Sequence, residues 1–120
     1  MFVAMNRFRV VPEREADWER IWKERETHLQ EAPGFVQFAL LRSDEVGEYI
    51  SHSIWLDRAA FEAWTRSDAF RMSHAQGSLE GVLAGPPELG LFQAVVREEP
   101  GGQRELDDSA PAPDRQGPRH

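Results

Sequence analysis

The chain has 120 residues, 40% hydrophobic and 29% charged, enough to bury one modest core, and no apolar run approaches the roughly 18 to 20 residues of a membrane span. Its lack of cysteine excludes a disulfide framework, thiolate catalysis and cysteinyl zinc or iron–sulfur sites, and makes a reducing cytoplasm the expected home. With 14 Lys and Arg against 21 Asp and Glu, the formal charge of -7 has the wrong sign for a chain that neutralises phosphates, so nucleic acid is not an expected partner.

Met1 opens onto a strand-like stretch, not onto the charged and then apolar regions of a signal peptide. Phe2 to Val10 alternates, with Phe2, Ala4, Phe8 and Val10 on one face and Arg7 and Arg9 on the other, which predicts a first strand. Pro12, followed by Glu13, Glu15 and Asp17, suits the first turn of a helix, where proline loses no hydrogen bond and acids meet the positive end of the dipole. Trp18, Ile21, Trp22, Arg25 and Leu29 continue at helical spacing, so one stripe packs on a sheet. Pro33-Gly34 ends that helix, and the aromatic and branched run Phe35 to Leu41 predicts a second strand. After the acidic turn Ser43 to Gly47, the alternation of Tyr49 to Leu56 predicts a third strand hairpinned to the second.

Asp57 is placed to cap a helix over Arg58 to Arg66 with Phe61 and Trp64 on one side. Ser67 can cap a short further helix to about Ala75, with Phe70 and His74 one turn apart. A Gly- and Pro-rich stretch, Gln76 to Gly90, leads to a fourth strand over Leu91 to Val96. From Glu98 the composition turns to Pro, Gly, Asp and Arg, which predicts a disordered tail. The order βαββαβ, with an extra short helix, points to an α+β ferredoxin-like sandwich over residues 1–97 and a tail over 98–120. Helices on one side leave the other sheet face bare. Met5, Trp55 and their neighbours there are too apolar for water, and a second copy would cover them.

Few residues could carry chemistry. Asn6 stands in the middle of an apolar strand face, where an unpaired amide costs about 1 to 3 kcal/mol. Either a loop backbone or a ligand must meet it. His28 and His52 read as structural and His120 belongs to the tail. His74 precedes the Gly-rich stretch and could project into a cleft between helix and sheet. No HxxxH, HExxH or carboxylate cluster accompanies it, so a metal held by protein ligands alone is not supported. One imidazole suffices where a porphyrin supplies the remaining ligands. Trp64, three residues after Phe61, reads by itself as core packing.

The segment Ala60 to His74, of pattern AFxxWxxSxxFxxxH, resembles the signature of the IsdG-type haem-degrading monooxygenases in the antibiotic-biosynthesis monooxygenase superfamily. The likeness extends to Asn6, to Pro33-Gly34-Phe35, to Leu40-Leu41-Arg42 and to Trp55, and covers residues 2 to about 97. It implies a dimeric α+β barrel with one haem per subunit between sheet and helices. His74 would be the axial ligand to the haem iron, and Asn6 a hydrogen-bond donor to dioxygen on the distal side. Trp64 would press on the macrocycle and buckle it, and Arg25 would lie near the propionates. Haem would be both cofactor and substrate, opened at a meso carbon with release of iron and a bilin-type product. Dioxygen and an external electron donor, a reductase or small reductant, would drive the reaction. Two further readings share the scaffold: a cofactor-free monooxygenase acting on an aromatic or quinol substrate, and a haem-binding protein without turnover.

Overall fold

A computed structural model describes residues 1–74 and 81–107. Four strands, β1 (Phe2–Arg9), β2 (Phe35–Arg42), β3 (Glu48–Trp55) and β4 (Glu88–Gln93), form one antiparallel sheet in the order β2-β3-β1-β4. Helices α1 (Glu15–Glu24), α2 (Arg58–Thr65) and α3 (Asp68–His74) complete a ferredoxin-like α+β fold. The β2–β3 hairpin turns at Gly47, whose φ is +83° and where an added Cβ would come within 2.6 Å of the Val10 carbonyl oxygen.

The first helix is shorter than its apolar stripe. Pro12–Arg14 is a separate 3-10 turn, α1 stops at Glu24, and Arg25 is already extended. Leu29 belongs to a second 3-10 turn, entered through His28 in the left-handed region at φ 59°. Helical spacing thus continued past the helix because Leu29 is buried by tertiary packing, not by helix propagation.

The strand registers assign the two faces. Phe2 pairs with Trp55, Ala4 with Ser53, Asn6 with Ser51 and Phe8 with Tyr49, all towards the helices. Trp55 is 0% exposed there, which corrects its expected place on the bare face: its parity follows Phe2, not Met5. The opposite face carries Val3, Met5, Ile50, His52 and Ile54, with Leu41 and Phe92 exposed on the flanking strands. Phe92 lies across Gly90, where a Cβ would sit 2.7 Å from its ring, so the glycine makes room for the aromatic.

The core splits into two clusters along β1. One gathers Phe8, Val10, Trp18, Tyr49 and Val82; the other gathers Phe2, Leu29, Trp55 and Trp64. Between them the helix-side positions are Ala4 and Asn6 on β1 and Ser51 and Ser53 on β3. Val82 is held beside the end of β1 by Val11 N–H to Val82 O at 2.8 Å and Ala84 N–H to Arg9 O at 2.7 Å.

Beyond β4, the stretch expected to be disordered from Glu98 contains a small hairpin. Strands β5 (Val96–Arg97) and β6 (Glu105–Leu106) pair, turning through Gly101 at φ +74°. Gln93 Nε2 donates to Asp107 Oδ2 at 2.8 Å, tying the hairpin back to the sheet. Composition reports low apolar content but not this pairing. Residues 108–120, the rest of the expected tail, lie outside the described residues.

Helix α1 is held on the β2–β3 hairpin by two carboxylates. Glu15 accepts the Gly47 N–H at 2.7 Å, while Glu19 accepts from Arg42 Nε at 2.8 Å, Arg42 Nη2 at 2.6 Å and the Tyr49 hydroxyl. These bonds hold the Glu19 carboxyl at about 2, below its ordinary 4.5. A depressed folded-state value contributes stability that is complete above pH 4.5 and is lost as pH falls towards 2. The melting temperature of the wild-type protein is therefore expected to fall across that window. Glu19→Gln should start roughly 5 °C lower at neutral pH and show a flatter acid limb in thermal denaturation followed by circular dichroism.

Candidate active site

The sequence-predicted residues Trp64 and His74 are brought onto one ring, that of Phe70, by the corner between α2 and α3. Asp57 caps α2 by accepting the Ala60 N–H at 2.8 Å. Ser67 locks the corner: its Oγ donates to the Trp64 carbonyl at 2.7 Å and accepts the Phe70 N–H at 3.1 Å. The Trp64 indole, 8% exposed, lies between Trp55 at 6.1 Å and the edge-on ring of Phe70 at 5.9 Å. His74 then packs on Phe70 with ring centroids 4.0 Å apart.

His74 is solvent-exposed, and its Nδ1 lies 2.8 Å from the Phe70 carbonyl oxygen. A carbonyl only accepts, so Nδ1 carries the proton. Nε2 is left with its lone pair unengaged by that bond, the arrangement that suits a metal-ligating imidazole. Among the described residues no group of three His, Asp or Glu is placed to hold a metal ion. The described residues thus supply a metal on His74 with no further cluster of ligands.

Asn6 lies half-buried on the helix side of β1, between Ser51 of β3 and Leu89 of β4. Its amide makes no side-chain hydrogen bond among the described residues, so the loop-backbone partner open at the level of sequence is not found there. Leu89 and Leu91, the β4 residues level with Asn6 and Ala4, are exposed although they share the helix side. Apolar side chains, one free amide and the break between the two core clusters thus coincide at one place in the sheet. Neither leucine stood out in sequence. The only available signal was the alternation of β4, which cannot be assigned a face before its register to β1 is known.

Arg25 belongs to a different group. Its guanidinium lies 4.5 Å above the Trp22 ring, and burial pushes its pKa down. Trp22 in turn stacks on Phe38 at 5.6 Å. The structure therefore assembles Trp64 with His74, places Asn6 on the adjoining sheet, and holds Arg25 at the end of α1.

Comparison with known proteins agrees with this fold. No curated protein matches the chain. Among solved structures, the haem degrader MhuD from Mycobacterium tuberculosis, crystallised with two haems in its active site, is 25% identical over 82% of this chain and 100% of its own, with a TM-score of 0.67. SnoaB, a cofactor-independent oxygenase from Streptomyces nogalater, is 28% identical over 82% of this chain and 94% of its own, with a TM-score of 0.61. Residues 1–76 match the sequence model described as antibiotic biosynthesis monooxygenase, and the chain belongs to that family.

Proposed function

We propose that the protein is a haem-degrading monooxygenase of the IsdG type, working as a cytoplasmic homodimer that takes electrons from an external reductant. The observation that carries this reading is the His74 tautomer, fixed by the Phe70 carbonyl, which turns an exposed imidazole into a ready iron ligand. The rest of the site fits a porphyrin: Leu89 and Leu91 offer apolar surface, and the Asn6 amide is an uncommitted donor. Bound haem would supply the iron that activates dioxygen and would itself be the ring opened at a meso carbon, yielding iron and a bilin-type product.

This chain's own part is to bind, orient and stabilise. His74 would hold the iron, with Phe70 as both hydrogen-bond acceptor and stacking support for the imidazole. Asn6 would present a preplaced hydrogen-bond donor to an anionic oxygen. Trp64, wedged between Trp55 and Phe70, would form a stiff wall of the haem site. Arg25, whose guanidinium rests on Trp22 apart from the His74 and Asn6 group, would have to leave that ring to serve as a cation for the propionates. The bare sheet face, with Phe92 53% exposed, is the surface for the second copy, and sedimentation should return twice the 13.7 kDa chain mass.

The similarity to SnoaB supports a second reading, oxygenation of an aromatic substrate without a cofactor. One experiment separates them. Hemin is titrated into the protein, and ascorbate is then added in air with catalase present to remove free peroxide. A stoichiometric Soret band that decays to a bilin-like absorbance, with iron becoming chelatable, is the expected result. A band that persists makes the protein a haem binder, and no band at all turns attention to aromatic substrates.

A further inference from the structure

Asn6 shares the break between the two core clusters with a second uncommitted polar side chain. Its direct partner across the β1–β3 ladder is Ser51, which also faces the helices. Side chains opposed in this way have Cβ atoms about 4.5 to 5.5 Å apart. Ser51 is 8% exposed, and a hydroxyl so far out of water loses hydration that something polar must replace. A branched apolar residue would fill the same strand position without that cost.

The neighbouring helix-side serine shows how this sheet satisfies such a group. Ser53 Oγ donates to the Ala4 carbonyl at 3.4 Å and accepts the Trp55 Nε1–H at 3.0 Å, so it is committed on both counts. Ser51 makes no side-chain hydrogen bond among the described residues. Beside it on β2 is Leu40, which has no polar group to offer, and along β3 is Tyr49, whose hydroxyl is engaged by Glu19 and Glu15. Of these neighbours only Asn6 keeps an uncommitted polar side chain. Amide and hydroxyl are not bonded to each other either, which leaves a separation of the kind that one bridging atom fills. Ser51 Oγ is not enclosed in the way that the unpartnered Nε1 atoms of Trp18 and Trp22 are, so a small molecule can reach it.

We propose that Ser51 is a second polar residue of the haem site, its hydroxyl sharing with the Asn6 amide one small anion held between β1 and β3. Two donors, O–H and N–H, then converge in apolar surroundings, where low local dielectric strengthens each bond. Ser51 touches the anion itself and does not act through Asn6. This role rests on the haem reading and gives its site a polar group on a second strand.

The test is a fluoride titration of the full chain loaded with ferric hemin, followed by visible spectroscopy, in the wild type, Ser51→Thr and Ser51→Val. Threonine and valine have nearly the same shape and both suit a strand, so the two variants differ mainly in the hydroxyl. Wild type and Ser51→Thr should bind fluoride within about twofold of each other, and Ser51→Val about fivefold more weakly, with the hemin titration the same in all of them. Ser51→Ala, which adds no bulk, should show the same loss relative to the wild type. Without hemin, Ser51→Val should melt no lower than Ser51→Thr, because it removes a buried hydroxyl that no protein group satisfies. The proposal is overturned if Ser51→Val and Ser51→Thr bind fluoride equally, or if Ser51→Val melts below Ser51→Thr, which would give the hydroxyl a partner within the fold. A missing Soret band in the wild type overturns the haem reading and the role of Ser51 with it, whereas an intact band with equal fluoride affinities removes Ser51 alone.

Discussion

His74→Ala is expected to lose the stoichiometric Soret band, with haem affinity down by about 100-fold or more, because the imidazole proposed to ligate the iron is removed. The side chain is exposed, and its one hydrogen bond among the described residues, Nδ1 to Phe70 O, lies within its own helix. Removing it should change stability by no more than about 0.5 kcal/mol. An absent band would then report lost coordination and not an unfolded protein. Adding free imidazole provides the check: it should restore a low-affinity band in the variant and leave the wild type unchanged. An unaltered Soret position and affinity in His74→Ala would remove the residue from the iron.

Asn6→Ala should separate binding from turnover. Its hemin titration should follow the wild type, since Leu89, Leu91 and His74 are untouched, while degradation under ascorbate slows by about 10²- to 10³-fold for want of a placed donor. A structural role would behave differently. If the amide were satisfying a buried backbone group, its loss would leave that group unpaired and cost about 1 to 3 kcal/mol of stability. The half-buried amide has no side-chain hydrogen bond among the described residues, so a melting temperature close to wild type is expected. A lowered melting temperature with unchanged turnover would assign Asn6 to the fold.

These two residues and Trp64 could be singled out from sequence for different reasons. Asn6 was conspicuous because its residue type contradicts its strand face. His74 was conspicuous through its spacing from Phe70, and that i, i+4 relation places its Nδ1 on the Phe70 carbonyl. Trp64 reads as core by itself, and it is core; its link to His74 runs through the Phe70 ring and depends on Ser67 turning the chain between two helices. The spacing of Arg25 continues a helical stripe, whereas the helix ends before it and the guanidinium rests on Trp22.

What the sequence determined by itself was local: the alternating strands, the Asp57 and Ser67 caps, the break at Pro33-Gly34, and an α+β order of elements. Such features depend on neighbours a few residues apart, which act through backbone dihedrals and hydrogen bonds within one turn. What tertiary structure alone decided was how distant strands register. Pairing Phe2 with Trp55 moved that indole from the bare face to the core. Pairing Asn6 with Leu89 placed apolar side chains around the amide, and pairing Val96 with Leu106 ordered residues whose composition reads as tail. Because side chains alternate with a period of two, a register one residue different would have reversed every face. That choice is made by the summed burial of both strands and is carried by neither segment alone.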